Sequence, residues 1–232
     1  MGIYFTKKGG SAVNRKPLSG NALKLIAALS MLLDHMGLML FPRITFFRIL
    51  GRLALPIYAY MIAEGCRYTR SKRRYFLGIF LLAAVCQAVY FFATGSLYFS
   101  ILVTFSLGIP VVYALQNLQS HRDLPSGLLL LAAVGAVWLL NRTFTIDYGF
   151  WGCMLPVFAS LPREKQHWRI GLLGGGLVLL ALSLGGIQWY ALAALPLLLL
   201  YSGKRGKQNM KYFFYIFYPA HLVLLELLAM LL

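Results

Sequence analysis

Apolar residues in this chain form long unbroken runs separated by short polar or basic connections. The runs are 21–41, 46–66, 75–93, 97–118, 124–141, 146–160, 169–184, 187–201 and 211–232. About 20 residues rising ~1.5 Å each cross the ~30 Å hydrocarbon core of a bilayer, so each long run predicts a transmembrane helix. Continuous runs, rather than alternation at every second residue, argue against an outer-membrane barrel. The runs 146–160, 169–184 and 187–201 are short, and Gly185-Gly186 is the weakest boundary, so about nine spans are expected, within a range of eight to ten. The predicted fold is all-α: a polytopic transmembrane helical bundle in one domain, 21–232, behind a basic segment, 1–20. The first run is too long for a signal-peptide core and contains Asp34 and His35, so it reads as a retained span.

Composition agrees with this pattern. With 60% hydrophobic and 12% charged residues and a mean hydropathy of +0.73, too little polar material exists to cover a water-soluble globule. The net charge of +16 would suggest nucleic acid in a soluble chain, but no docking motif accompanies it. Its distribution fits the positive-inside rule instead. Summed over alternate connections, one side receives Lys7, Lys8, Arg15 and Lys16, then Arg67, Arg70, Lys72, Arg73 and Arg74, then Arg122, then Arg163, Lys165 and Arg169, then Lys204, Arg205, Lys207 and Lys211. The other side has Arg43, Arg48, Arg52 and Arg142, with Lys24 inside the first span. This asymmetry predicts a cytoplasmic N-terminus and an odd number of spans.

Ionisable groups at membrane depth are expensive and mark functional sites. The first span carries two side by side, Asp34 and His35, on a helix whose Ala27, Ser30, Asp34 and Gly37 form a small and polar stripe suited to helix packing. Two readings stay open. Asp34 forms a structural pair with Arg52 or Arg48, or Asp34 orients His35, which acts as a base. The rise per residue puts His35 ~9 Å below the outer edge and His221 ~15 Å from the inner edge, so the two histidines are placed to meet, and Arg52 reaches a level similar to Asp34.

Pro56 in the second span leaves the Arg52 carbonyl without its usual partner, and Pro219 does the same to Tyr215 near His221. Glu64 precedes the basic run Arg67 to Arg74, which suggests either a plain ion pair or a docking surface for a phosphorylated ligand. Ser96, Ser100, Thr104 and Gly108 recur at i+4, a helix-packing pattern. Asp147, before Tyr148-Gly149, is placed to cap the sixth span, and Glu226 to pair with Arg43 or Arg142. The cysteines Cys66, Cys86 and Cys153 have no metal or disulfide spacing, and His121 and His167 in the loops carry no signal. No nucleotide-binding glycine loop or hydrolase motif is present, and no metal site is expected.

The blocks Asp34-His35-Met36-Gly37, Gly51-Arg52-Leu53-Ala54-Leu55-Pro56-Ile57-Tyr58-Ala59-Tyr60 with Glu64-Gly65, Asp147-Tyr148-Gly149 and Tyr215-Ile216-Phe217-Tyr218-Pro219-Ala220-His221-Leu222 resemble, in this order, the TraX family of bacterial membrane proteins. The similarity runs from about residue 18 onward. It departs after the third span, where Gln87-Ala88-Val89-Tyr90 replaces an expected acid and proline. The resemblance implies N-terminal acetylation of a pilin subunit in conjugative systems, with acetyl-CoA as donor, in the bacterial inner membrane. It also implies similarity to multispanning acyltransferases such as the lysosomal heparan-glucosaminide acetyltransferase.

On that reading His35 with Asp34 removes a proton from the acceptor amine, Arg52 or His221 stabilises the oxyanion, and Arg67, Arg70, Lys72, Arg73 and Arg74 hold the CoA phosphates. Glu64, Tyr218, Asp147 and Tyr148 complete the binding set. The competing readings are a proton-coupled small-solute transporter, weakened by the lack of an evident repeated half, and a non-catalytic pilus assembly factor.

Overall fold

The computed structural model describes residues 16–162, 165–208 and 210–231. Lys7, Lys8, Arg15 and Arg163 therefore lie outside the described residues. The helices are α1 (Gly20–Met39), α2 (Thr45–Gly51), α3 (Ala54–Tyr68), α4 (Lys72–Thr94), α5 (Ile101–His121), α6 (Leu124–Thr143), α7 (Gly149–Phe158), α8 (Gln166–Leu184), a 3-10 helix (Gly186–Ala193) running into α9 (Ala194–Leu199), and α10 (Lys211–Leu231). Among the described residues there is no strand, only the isolated bridges Leu18 to Tyr201 and Phe99 to Ile146.

Among the described residues seven helical stretches, α2 and α3 taken together as one, are long and apolar enough to cross a membrane, and the protein is a multi-pass membrane protein. The α7 and Gly186–Leu199 segments are the two shorter apolar pieces. The run expected to be short at 169–184 is longer: α8 begins at Gln166 and reaches full length.

Caps and stops are local. The Ser19 hydroxyl accepts from the Ala22 amide, Ser71 from Arg74 and Asp123 from Ser126, with Pro125 in the first turn of α6. Left-handed Gly95 ends α4 and left-handed Arg122 ends α5. The second span breaks at Arg52-Leu53, four residues before Pro56, where the proline removes the partner of the Arg52 carbonyl. Pro56 itself sits in the first turn of α3, where an amide would have no helical partner anyway.

The core is built by α1, α3, α5, α7, α8, the 3-10 helix and α9 around Tyr60, Leu55, Leu155, Leu173 and Leu198, all nearly inaccessible. Close approach of helix backbones depends on glycine at Gly108 and Gly51. A Cβ on Gly108 would lie 2.5 Å from the Cys153 carbonyl oxygen, and one on Gly51 would lie 2.7 Å from the Asp34 Cα. Thus only glycine at 51 lets α2 sit directly on Asp34.

The loops sort into two ends. Leu18 meets Tyr201, Lys16 donates to Gln166, and Gln119 donates to the carbonyls of Ser160 and Leu161, all at the basic end. At the opposite end Phe99 pairs with Ile146 and Gln87 holds the backbone of Tyr98 and Ser100. Gln87, in the block that departs from the family pattern, thus fastens that loop.

Candidate active site

Asp34 and His35 are consecutive on α1, and consecutive helical side chains point about 100° apart. They therefore face different neighbours. Asp34 turns to α2, where it pairs with Arg52 and lies 3.5 Å from Arg48 Nε. His35 turns to α10, and its Nδ1 lies 2.8 Å from Nε2 of His221. The expected Asp34-His35 dyad is not formed, because helix geometry forbids it; Asp34 takes the structural pairing with Arg52 and Arg48.

The proton positions of the histidine pair follow from its far end. Nδ1 of His221 lies 2.8 Å from the Phe217 carbonyl, which can only accept, so that nitrogen carries the proton. In the neutral pair His221 Nε2 is then bare and accepts from the Nδ1–H of His35. The remaining lone pair falls on His35 Nε2, which has no hydrogen-bond partner among the described residues. Phe217 stacks on His221 at 12°, and the Tyr218 ring meets it edge-on at 5.7 Å, so His221 is clamped and fixes His35 in turn.

Arg52 uses four of its five N–H donors. Its Nε donates to the Arg48 carbonyl, Nη1 to the Tyr148 hydroxyl and to Gln188 Oε1, each at 3.3 Å, and Nη2 to Asp34. It therefore ties four elements together, while the Nδ1 proton of His221 is held by the Phe217 carbonyl. Gln188 escaped the sequence reading. It is buried, and its Nε2 has no partner among the described residues.

Asp147 does not cap α7. Left-handed Tyr148 occupies the capping position, and Asp147 instead accepts from the Tyr98 hydroxyl at 2.8 Å, while the Thr104 hydroxyl donates to its carbonyl. Burial pushes the Asp147 carboxyl up to about 6, against the pull of the Tyr98 bond and of Arg52. Between about pH 4 and 6 the folded protein then binds more protons than the unfolded chain. Stability is greatest at the low end and falls as pH rises through about 6. Asp147→Asn should remove this part of the slope, as read from thermal unfolding midpoints across that window; an unchanged slope would contradict the assignment.

Glu64 does not pair with the basic run that follows it. It is buried against Arg169 of α8 and accepts from the Tyr201 hydroxyl at 3.1 Å. Arg169 also donates to the Ala159 carbonyl at 2.8 Å and lies over the Tyr60 ring. Glu226 is exposed and forms no ion pair with Arg43 or Arg142 among the described residues, because it lies on the outer flank of α10, beside the buried stripe of Tyr218, His221 and Leu225.

A cavity of about 440 Å³ opens at the basic end beside Lys24, Asn21 and Arg205. It runs between α1, α3, α4, α5 and α10 to Met31, Tyr58 and Tyr218. Met31 is one helical turn, ~6 Å, short of His35. Of the basic run, Arg67 and Lys72 line a second, polar cavity with Arg169, whereas Arg70, Arg73 and Arg74 line neither. The cations at the mouth are thus Lys24 and Arg205. Lys24, a cation inside an apolar run, was the signal in the sequence.

A family model described as TraX protein matches residues 19–229. The chain is similar to a probable fimbrial assembly protein FimC, serogroup H1, of Dichelobacter nodosus, with 26% identity over 88% of this chain and 92% of that one. It is also similar to an uncharacterised protein of Rickettsia prowazekii (strain Madrid E), with 30% identity over 55% of this chain and 49% of that one. No solved structure matches.

Proposed function

This chain belongs to the TraX family, and from that premise we propose that it is an inner-membrane acetyltransferase that moves an acetyl group from cytosolic acetyl-CoA to an amine. The observation that carries this reading is the cavity that starts between Lys24 and Arg205 and ends at Tyr218, whose ring packs on the histidine pair. Its basic mouth, placed on the cytoplasmic side by the positive-inside rule, suits the donor's phosphates, and its apolar interior suits the pantetheine arm. The fimbrial assembly name of the Dichelobacter relative supports a pilin N-terminus as the acceptor.

In the proposed reaction the amine nitrogen forms a bond to the thioester carbonyl carbon. His35 Nε2 takes the proton released from nitrogen. The carbon–sulfur bond then breaks, and the CoA sulfur leaves with that proton as the thiol. The oxyanion needs a donor within the cavity, which neither Arg52 nor His221 lines. Tyr58 lines the inner end of the cavity, its hydroxyl has no hydrogen-bond partner among the described residues, and it fills this role.

Purified protein with labelled acetyl-CoA and a pilin N-terminal peptide tests the reading. Label is expected on the peptide amine, with Tyr58→Phe slower by about 10²-fold at unchanged thermal stability. An unlabelled peptide would contradict transfer, and an undiminished Tyr58→Phe rate would remove Tyr58 from it.

A further inference from the structure

The cavity has features that acetyl transfer does not require. Lys24 stands one turn into α1, its ammonium 5.8 Å from the centroid of the Phe214 ring, with no carboxylate partner among the described residues. Glu64 lines the same space but is held by Arg169 and Tyr201. Beyond Lys24 the wall is mostly apolar, with Met31, Ile79, Leu82, Leu102 and Phe105, interspersed with the tyrosines Tyr58, Tyr75, Tyr215 and Tyr218. One wall is a seam between α4 and α10. α10 lies along α1, whereas it reaches α4 through side chains, the Tyr215 hydroxyl lying 3.4 Å from where a Cβ on Gly78 would be. Outside this seam, Phe80, Leu81 and Ile216 are exposed and apolar, so the seam faces lipid.

We propose that this cavity binds a single-chain anionic amphiphile drawn from the bilayer leaflet at the basic end, its head on Lys24 and its tail along α1 toward Met31. Charge and length both fit. A cation near the membrane interface with no carboxylate partner favours an anionic head. Lys24 and Met31 are seven residues apart, ~10 Å along α1. An extended chain advances ~1.2 Å per bond, so about eight to nine bonds fill that distance. A tail of about ten carbons fits, and a free fatty acid or a chain ending in a phosphate supplies the head. This ligand and the thioester donor meet the same Lys24 and exclude each other, but its binding does not depend on acetyl transfer.

The test is equilibrium binding of radiolabelled decanoate, decyl phosphate and decanol to the full chain in phosphatidylcholine nanodiscs, with empty nanodiscs as the blank. Saturable binding of an anionic probe is expected, at least about tenfold tighter than decanol, with the tighter anion identifying the head. Lys24→Met should erase that preference and Lys24→Arg should keep it. No saturable binding of either anion, or decanol binding as tightly as both on the unaltered chain, overturns the proposal. So does an intact preference in folded Lys24→Met.

Discussion

His35→Ala is expected to slow acetyl transfer by about 10³-fold while leaving the folded protein intact. The size follows from the lone pair. In the chain from the Phe217 carbonyl through His221 to His35, the nitrogen left able to accept a proton is His35 Nε2. Because His35 is half-buried and holds no other polar partner among the described residues, its loss leaves few groups unsatisfied. His221→Phe should cost less, about 10²-fold. It keeps the base but releases the ring that aims it, and misplacement of a reacting group by about 1 Å costs that much. Added imidazole should restore part of the His35→Ala rate and none of the His221→Phe loss. Equal rates for His35→Ala and the unaltered protein would remove His35 from the chemistry.

Arg169→Met is expected to be the most destabilising single change in the core, by about 3–5 kcal/mol. It leaves the Glu64 carboxylate buried with the Tyr201 hydroxyl as its remaining partner, orphans the Ala159 carbonyl and removes the cation from the Tyr60 face. In detergent the unfolding midpoint should drop by roughly 10 °C. Combining Arg169→Met with Glu64→Gln should recover part of that drop, because the buried charge is then gone. A single variant as stable as the parent would mean that Glu64 is hydrated instead of buried.

Depth along the membrane normal was legible in the sequence, and direction around each helix was not. Apolar run lengths located the long helices, although 146–160 and 187–201 fold as shorter pieces, and the rise per residue put His35 level with His221 and Arg52 level with Asp34. The pairing of His35 with His221 joins α1 to α10 across 186 positions, which no local pattern encodes. Adjacency misled the reading of Asp34 and His35, since neighbours on a helix do not face each other. Asp147 resembled a cap because of its place before Gly149, but the left-handed Tyr148 turned its carboxylate to Tyr98. Gln188, without charge, gave no signal at all; its role appears only once the 3-10 helix brings it to Arg52.

The reading of the whole molecule is that a thioester enters at the basic end and its acetyl group reaches a base held near the opposite end. Sidedness tests this most directly. In sealed vesicles of known orientation, with labelled acetyl-CoA confined to the side of Lys24 and Arg205 and the pilin peptide confined to the other, the peptide should become labelled, and His35→Ala should abolish it. Labelling that requires donor and peptide on one side, or that proceeds equally with the two reversed, would contradict the account.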